Sequence, residues 1–198
     1  MFHDPAHWFP NDLVANLFGL LVIGLFLLDA ALQARGARQR IGPAQHRADR
    51  GSLIVVDGAV ALSLLSAAGC RYLGLGIVTG WVQYVGIAGM ILAGVLREWS
   101  VLTLGAYFSK VVEIEQGHQL ITTGPYQWLR HPAYTSLLLF CSAAALALGT
   151  WIGAVLAFVV VFVAVRYRIG IEERLLEQTF GDAYHDYAQE TWRLFPGW

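Results

Sequence analysis

Thr135 to Val165 reads TSLLLFCSAAALALGTWIGAVLAFVVVFVAV, thirty-one residues without a single charge. One straight helix of that length would rise about 46 Å, well beyond a hydrocarbon core of about 30 Å. Gly149-Thr150, near the middle, supplies a turn signal. The stretch therefore predicts two short membrane helices, Thr135–Gly149 and Trp151–Tyr167, folded as a tight hairpin. Such a hairpin leaves and re-enters the membrane on one side. It brings together two polar clusters: Gly124-Pro125-Tyr126 with Arg130-His131-Pro132-Ala133-Tyr134 before it, and Arg168 with Glu172-Glu173 after it.

The composition agrees. The chain has 198 residues, 57% hydrophobic and 14% charged, where soluble domains carry about 25% charged residues. Further spans read at Leu13–Leu32, Leu53–Leu75 and Val82–Leu104. The expectation is an all-α integral membrane protein with about five transmembrane helices. It would have a hairpin from spans four and five, a cytoplasmic loop and a C-terminal amphipathic helix. Residues 1–198 form one membrane domain, with three spans in 1–104. Met1–Asp12 holds no lysine or arginine, which argues against a signal peptide. The net charge of −1 gives no reason to expect a nucleic-acid partner, and no protein partner is implied. Cys70 and Cys141 lie in apolar segments and read as buried small hydrophobes.

Positive charge sets the expected topology. Arg35, Arg38, Arg40, Arg47 and Arg50 follow span one. Arg97 near the end of span three goes with Lys110 and Arg130 between spans three and four, and Arg166, Arg168, Arg174 and Arg193 lie at or beyond the end of span five. Five spans put all of these on one side and leave Arg71 on the other. That side should be the cytoplasm, with the N-terminus outside. On span two, Ala59, Ser63 and Ala67 form a small-residue stripe suited to packing against a helix of the same chain.

The segment from Lys110 to Gln127 reads as a short hairpin or ordered loop on the membrane face, because Val112 and Ile114 alternate with Glu113 and Glu115. Pro132 suits the first position of a helix. Arg130 and His131 then sit at the positive end of the helix dipole, where basic residues are misplaced unless an anion lies opposite. Free N–H groups there could complete an anion site. The plainer reading is an arginine held at lipid headgroups and a histidine beginning a turn. His118 by itself reads as an exposed loop residue. The histidines lack ligand spacing, so no metal site is expected.

After span five, Glu172, Leu176, Phe180 and Tyr184 recur every four residues and share a helix face. Glu172 points with this apolar stripe, while Glu173 and Glu177 fall on a wetter face. A carboxylate on a buried face needs partners, and Arg168 is one turn away. An Arg168–Glu172 ion pair and a ligand site are both compatible with that spacing. Gly181 should end the helix, Asp182 could cap the next one, and Trp192–Trp198 should pack back on the membrane face. Together the two clusters could hold a charged, water-soluble cofactor against a lipid-borne substrate.

Taken in order, His118-Gln119-Leu120-Ile121, Gly124-Pro125-Tyr126, Arg130 to Tyr134, and Arg168 to Glu173 ending in Phe180-Gly181-Asp182-Ala183-Tyr184 resemble the isoprenylcysteine carboxyl methyltransferase family. That family is related to phospholipid methyltransferases. The likeness runs from about Leu104 to Pro196 and makes 105–198 the cofactor-binding half. It implies S-adenosylmethionine as methyl donor. It places the donor against His118, Gln119, Leu120, Ile121, Tyr126, Arg130, His131, Pro132, Ala133, Tyr134 and Glu172, with Glu113 as a polar residue before the hairpin. It assigns Arg168 to the carboxylate of a lipid-borne small-molecule or prenylcysteine substrate.

An acceptor carboxylate, with an ordinary pKa of about 4, is ionised at neutral pH and needs no base. An arginine without an obvious acid–base pair suits that chemistry. Three rivals stay open. A phospholipid or lipid amine N-methyltransferase would need a base such as Glu113 or Glu172. An NADPH-dependent sterol reductase-like enzyme would want more basic residues for a 2′-phosphate. A non-catalytic membrane scaffold would use the polar cluster only for anchoring.

Overall fold

The computed structural model describes residues 8–9, 12–38, 44–47, 51–108, 113–115 and 119–198. Six helices carry the fold: α1 (Asp12–Arg38), α2 (Ser52–Tyr72), α3 (Trp81–Leu104), α4 (Pro132–Ala147), α5 (Trp151–Phe180) and α6 (Asp182–Glu190). Two short strands, β1 (Ala44–Arg47) and β2 (Glu113–Glu115), pair antiparallel. Among the described residues α1, α2, α3 and α5 are each long and apolar enough to cross a membrane. Apart from that strand pair the fold is helical, that of a multi-pass integral membrane protein.

The hairpin forms where the apolar run predicts it, and Thr150 explains why. Its hydroxyl accepts from Gly153 N at 3.1 Å as the N-cap of α5 and donates to the Leu75 carbonyl at 2.8 Å. A side-chain cap of this kind satisfies an orphan donor of the first turn. Gly149 takes φ +87, and a Cβ there would sit 2.8 Å from the Val78 carbonyl.

Helix α4 has 16 residues, a rise of about 24 Å. It does without length because it is surrounded. Ala143, Ala144, Ala145 and Ala147 are all buried. On one side α3 approaches so closely that a Cβ on Gly86 would lie 2.3 Å from Ala147 N. Small residues let backbones meet this way. Buried Gln83 donates to the Ala147 carbonyl at 3.1 Å and to the Trp8 carbonyl at 2.9 Å, closing the C-terminal end of α4. On the other side Gly153 of α5 meets Ala67 of α2. The stripe of Ala59, Ser63 and Ala67 is buried inside the chain, as expected. Cys70 and Cys141 are buried free thiols.

Three expectations need correction. Among the described residues β2 pairs not within the Lys110 to Gln127 segment but with β1, with Arg47 opposite Glu113 and His46 opposite Ile114. β1 follows α1 and β2 follows α3, so this ladder joins the segments beyond the ends of those two helices. Asp182 sits in the first turn of α6 and Gly181, at φ +52, holds the cap position without a side-chain bond. Glu173, assigned to the wetter face, is 7% exposed, because the C-terminal segment folds over it.

Candidate active site

The two halves of the polar constellation reach the site on different elements. Pro132 begins α4 with His131 as N-cap, as the sequence predicts. Helix α5 continues unbroken past its apolar part to Phe180, about 45 Å in all. That length carries Arg168, Glu172 and Glu173 alongside the start of α4.

A Tyr134-centred chain joins them. Arg168 Nε donates to the Tyr134 hydroxyl at 2.6 Å, and the hydroxyl donates to Glu172 Oε2 at 2.7 Å. The link between Arg168 and Glu172, read from spacing as a possible ion pair, runs through this phenol. Arg168 is 4% exposed and also donates to Ser52 Oγ on α2 at 3.0 Å. The His131 ring stacks on Tyr134, centroids 5.6 Å apart. His131 Nδ1 lies 3.9 Å from Glu172 Oε1, and Nε2 lies 3.4 Å from Glu173 Oε1.

Arg130 is occupied. Its Nε donates to Glu173 at 3.1 Å, and its Nη1 donates to the Ala188 carbonyl at 2.6 Å and to the Thr191 carbonyl. Two backbone N–H groups just before the helix are also taken. Arg130 N donates to the Trp192 carbonyl at 2.7 Å and His131 N to the Arg193 carbonyl at 3.0 Å. The anion opposite the two basic residues is thus supplied first by the chain's own Glu173.

A cavity of about 310 Å³ opens beside this network. Of the residues singled out in the sequence, Gln119, Leu120, Ile121, Tyr126, Arg130, His131, Ala133, Tyr134, Arg168 and Glu172 line it. Pro132 is buried behind the wall. Glu113 lies on β2, but its side chain, like all of His118, is outside the described residues.

The structure adds wall residues that the sequence reading missed. Asp29 of α1, Asp57 of α2 and Arg97 of α3 line the same cavity. Arg97 pairs with Asp29 at 3.0 Å and lies over the Phe108 ring. A signal existed: acids inside apolar spans are costly and mark function by default. Leu53, Val56, Val60 and Leu137 make an apolar wall, and Tyr184 and Tyr187 close the polar side. Tyr187 donates to the Tyr126 carbonyl at 2.7 Å, tying α6 to the 3₁₀ turn Gly124–Gln127. Burial, reinforced by the Glu172 carboxylate, pushes the Tyr126 phenol far above its usual range. Burial pushes Tyr187 up to about 12, against the opposing Arg130 guanidinium. Both therefore stay protonated donors at neutral pH.

One cavity thus joins a charged, hydrogen-bonding end of both signs to an apolar wall. Such a space suits a polar molecule meeting the end of a lipid. Residues 84–178 match the model of the isoprenylcysteine carboxyl methyltransferase (ICMT) family. The matched segment holds Arg130, His131, Tyr134, Arg168 and Glu172. The chain is 36% identical over 111 residues to protein-S-isoprenylcysteine O-methyltransferase B of Arabidopsis thaliana, covering 55% of this chain and 56% of that protein. It is 32% identical over 112 residues to the protein-S-isoprenylcysteine O-methyltransferase of Tribolium castaneum, covering 56% and 40%. A solved structure of a eukaryotic intramembrane Ras methyltransferase, ICMT, superposes with a TM-score of 0.60 at 27% identity, covering 71% of this chain and 52% of that one. The chain spans about half the length of the relatives it matches. The resemblance to ICMT carried by the motifs is therefore present in sequence and in fold alike.

Proposed function

We propose that the protein is an S-adenosylmethionine-dependent methyltransferase of the ICMT type, methylating the carboxylate of a prenylcysteine or similar lipid-borne acceptor. The observation that carries this reading is the Arg168–Tyr134–Glu172 chain at the junction of the cavity's polar end and its apolar wall.

The lining fits such a donor. Glu172 presents a partly exposed carboxylate toward the cavity, a fitting acceptor for ribose hydroxyls, and Gln119 to Ile121, Tyr126 and Ala133 offer a mixed polar and apolar wall. In this reading His118 and Glu113 complete the donor side. When bound, the donor supplies an electrophilic methyl group on a sulfonium. Arg168 orients the acceptor carboxylate, and its link to Tyr134 couples the acceptor's position to Glu172. No residue need remove a proton. The apolar wall excludes water, and a reaction that neutralises two opposite charges gains from a dry site.

The arginine distribution puts the loop side of this site in the cytoplasm and the N-terminus outside. The residues 1–198 act as one membrane domain, with 105–198 holding the donor.

The test uses purified protein in lipid nanodiscs with methyl-labelled S-adenosylmethionine, offered a prenylcysteine analogue and a total lipid extract. Base-labile label in the organic phase, released as methanol, supports carboxyl transfer. Base-stable label indicates an amine acceptor and overturns the carboxylate assignment. No label and no donor binding would overturn the methyltransferase reading itself.

A further inference from the structure

Glu173 stands immediately behind Glu172 on α5, and nothing in the reaction proposed above uses it. It is a heavily partnered carboxylate. Its Oε1 accepts from Arg130 Nε at 3.1 Å and Arg193 Nε at 3.2 Å, and its Oε2 lies 2.9 Å from Arg193 Nη2. His131 Nε2 approaches Oε1 at 3.4 Å. Burying a charge this far requires partners, and those partners come from two remote segments. Arg130 and His131 precede α4, whereas Arg193 belongs to the tail, whose Leu194 is fully buried.

The tail is also bonded to the start of α4 by backbone. Trp192 N donates to the Trp128 carbonyl at 3.0 Å, besides the two bonds from Arg130 N and His131 N, and Thr135 Oγ1 donates to the Leu194 carbonyl at 2.6 Å. The residues around 192–194 thus form a strap across the first turn of α4, with Glu173 as its charged pin.

The pin has a chemical consequence for His131. An ionised carboxylate can only accept hydrogen bonds, so a ring nitrogen bonded to it must carry the proton. Glu173 therefore selects the Nε2–H form. In the neutral ring Nδ1 is then left as an acceptor beside Glu172 Oε1, 3.9 Å away, too far for a direct hydrogen bond. His131 and Glu172 both line the cavity. Two neighbouring acceptors facing one space suit a ligand with two adjacent donors, such as a vicinal diol.

We propose that Glu173 is a positioning residue: it pins the C-terminal strap to α4 and fixes the His131 tautomer, so that His131 Nδ1 and Glu172 form a paired acceptor for the ribose diol of the methyl donor. The ligand half of this inference rests on the donor reading above; the tautomer half does not.

The experiment uses the full chain in nanodiscs, with ¹⁵N-histidine labelling and His131→Gln to assign the signal. The wild type shows His131 as the Nε2–H tautomer, and Glu173→Gln gives a mixture, because an amide can present either a donor or an acceptor. In parallel, S-adenosylhomocysteine and its 2′-deoxy analogue compete for binding. The wild type prefers the diol by about tenfold, and Glu173→Gln reduces that preference to about twofold or less. A structural role alone would lower stability without touching this ratio. An Nδ1–H tautomer or a doubly protonated ring in the wild type overturns the proposal even if the variant does not fold, and so does an unchanged tautomer and preference in Glu173→Gln. A wild type that binds neither competitor yet shows the tautomer change overturns the donor reading while upholding the pin.

Discussion

The Tyr134 hydroxyl donates to the Glu172 carboxylate at 2.7 Å, tying the first turn of α4 to α5, thirty-eight residues later. The same hydroxyl accepts from Arg168, so one phenol coordinates the cation and the anion of the site. Tyr134→Phe keeps the ring that stacks on His131 and removes only this relay. It should weaken donor binding about tenfold, the loss of a hydrogen bond to a charged group. Equilibrium binding of labelled S-adenosylmethionine checks this, and unchanged affinity would detach Glu172 from the donor.

Arg168→Lys keeps the charge and loses the planar fork that reaches Tyr134 and Ser52 together. Turnover should fall about a hundredfold, roughly 3 kcal/mol, with the defect in the acceptor's KM and in kcat. Donor affinity should move less. Steady-state kinetics with a prenylcysteine analogue separates the two, and a variant with full turnover would remove Arg168 from the acceptor site.

Gly86 tests the packing rather than the chemistry. A methyl group there would meet Ala147 N at 2.3 Å, whereas one on Gly69 of α2 meets nothing within 4 Å. Gly86→Ala should therefore destabilise by about 1–3 kcal/mol through overpacking. Gly69→Ala should be neutral or stabilise by up to about 1 kcal/mol, from helix propensity. Thermal unfolding of the two variants side by side should show opposite signs.

Tyr187 predicts an alkaline limit. Its phenol is raised from the usual 10 to about 12 by burial, so the folded chain holds this proton more tightly than the unfolded chain does. Its contribution to stability is intact below pH 10 and is lost as pH rises from about 10 to 12. Melting temperature should fall across that window. Tyr187→Phe should lower the starting value, through the lost bond to Tyr126, and flatten the slope. An equally steep fall in the variant would assign the limit to other groups.

Much of this was legible in the chain because membrane helices are written in unbroken apolar runs. The Gly149-Thr150 turn, the Pro132 helix start and the Arg168/Glu172 spacing each follow from local rules. What escaped depended on contacts between remote segments. Glu173 looked exposed by helical phase alone, and contacts from the remote Arg130, His131 and Arg193 bury it. The Arg130 side chain and the Arg130 and His131 amides ahead of α4 looked ready for a ligand anion, yet the chain itself supplies their acceptors. Asp57 and Asp29 carried a usable signal, as acids within apolar spans, but spacing did not connect them to α4 and α5. β2 found its partner in the loop after α1 because register is set by which segment the helix ends bring near.

The strap at 192–194 also bears on the order in which the protein is made. Synthesis runs from the N-terminus, so α1 to α5 are laid into the bilayer before Trp192 and Arg193 exist. Until then the Arg130 and His131 amides and the Glu173 carboxylate face water or each other without their final partners. The membrane body can insert as translation proceeds, while the strap that holds Arg130, His131 and Glu173 together can close only after residues 192–194 have been made.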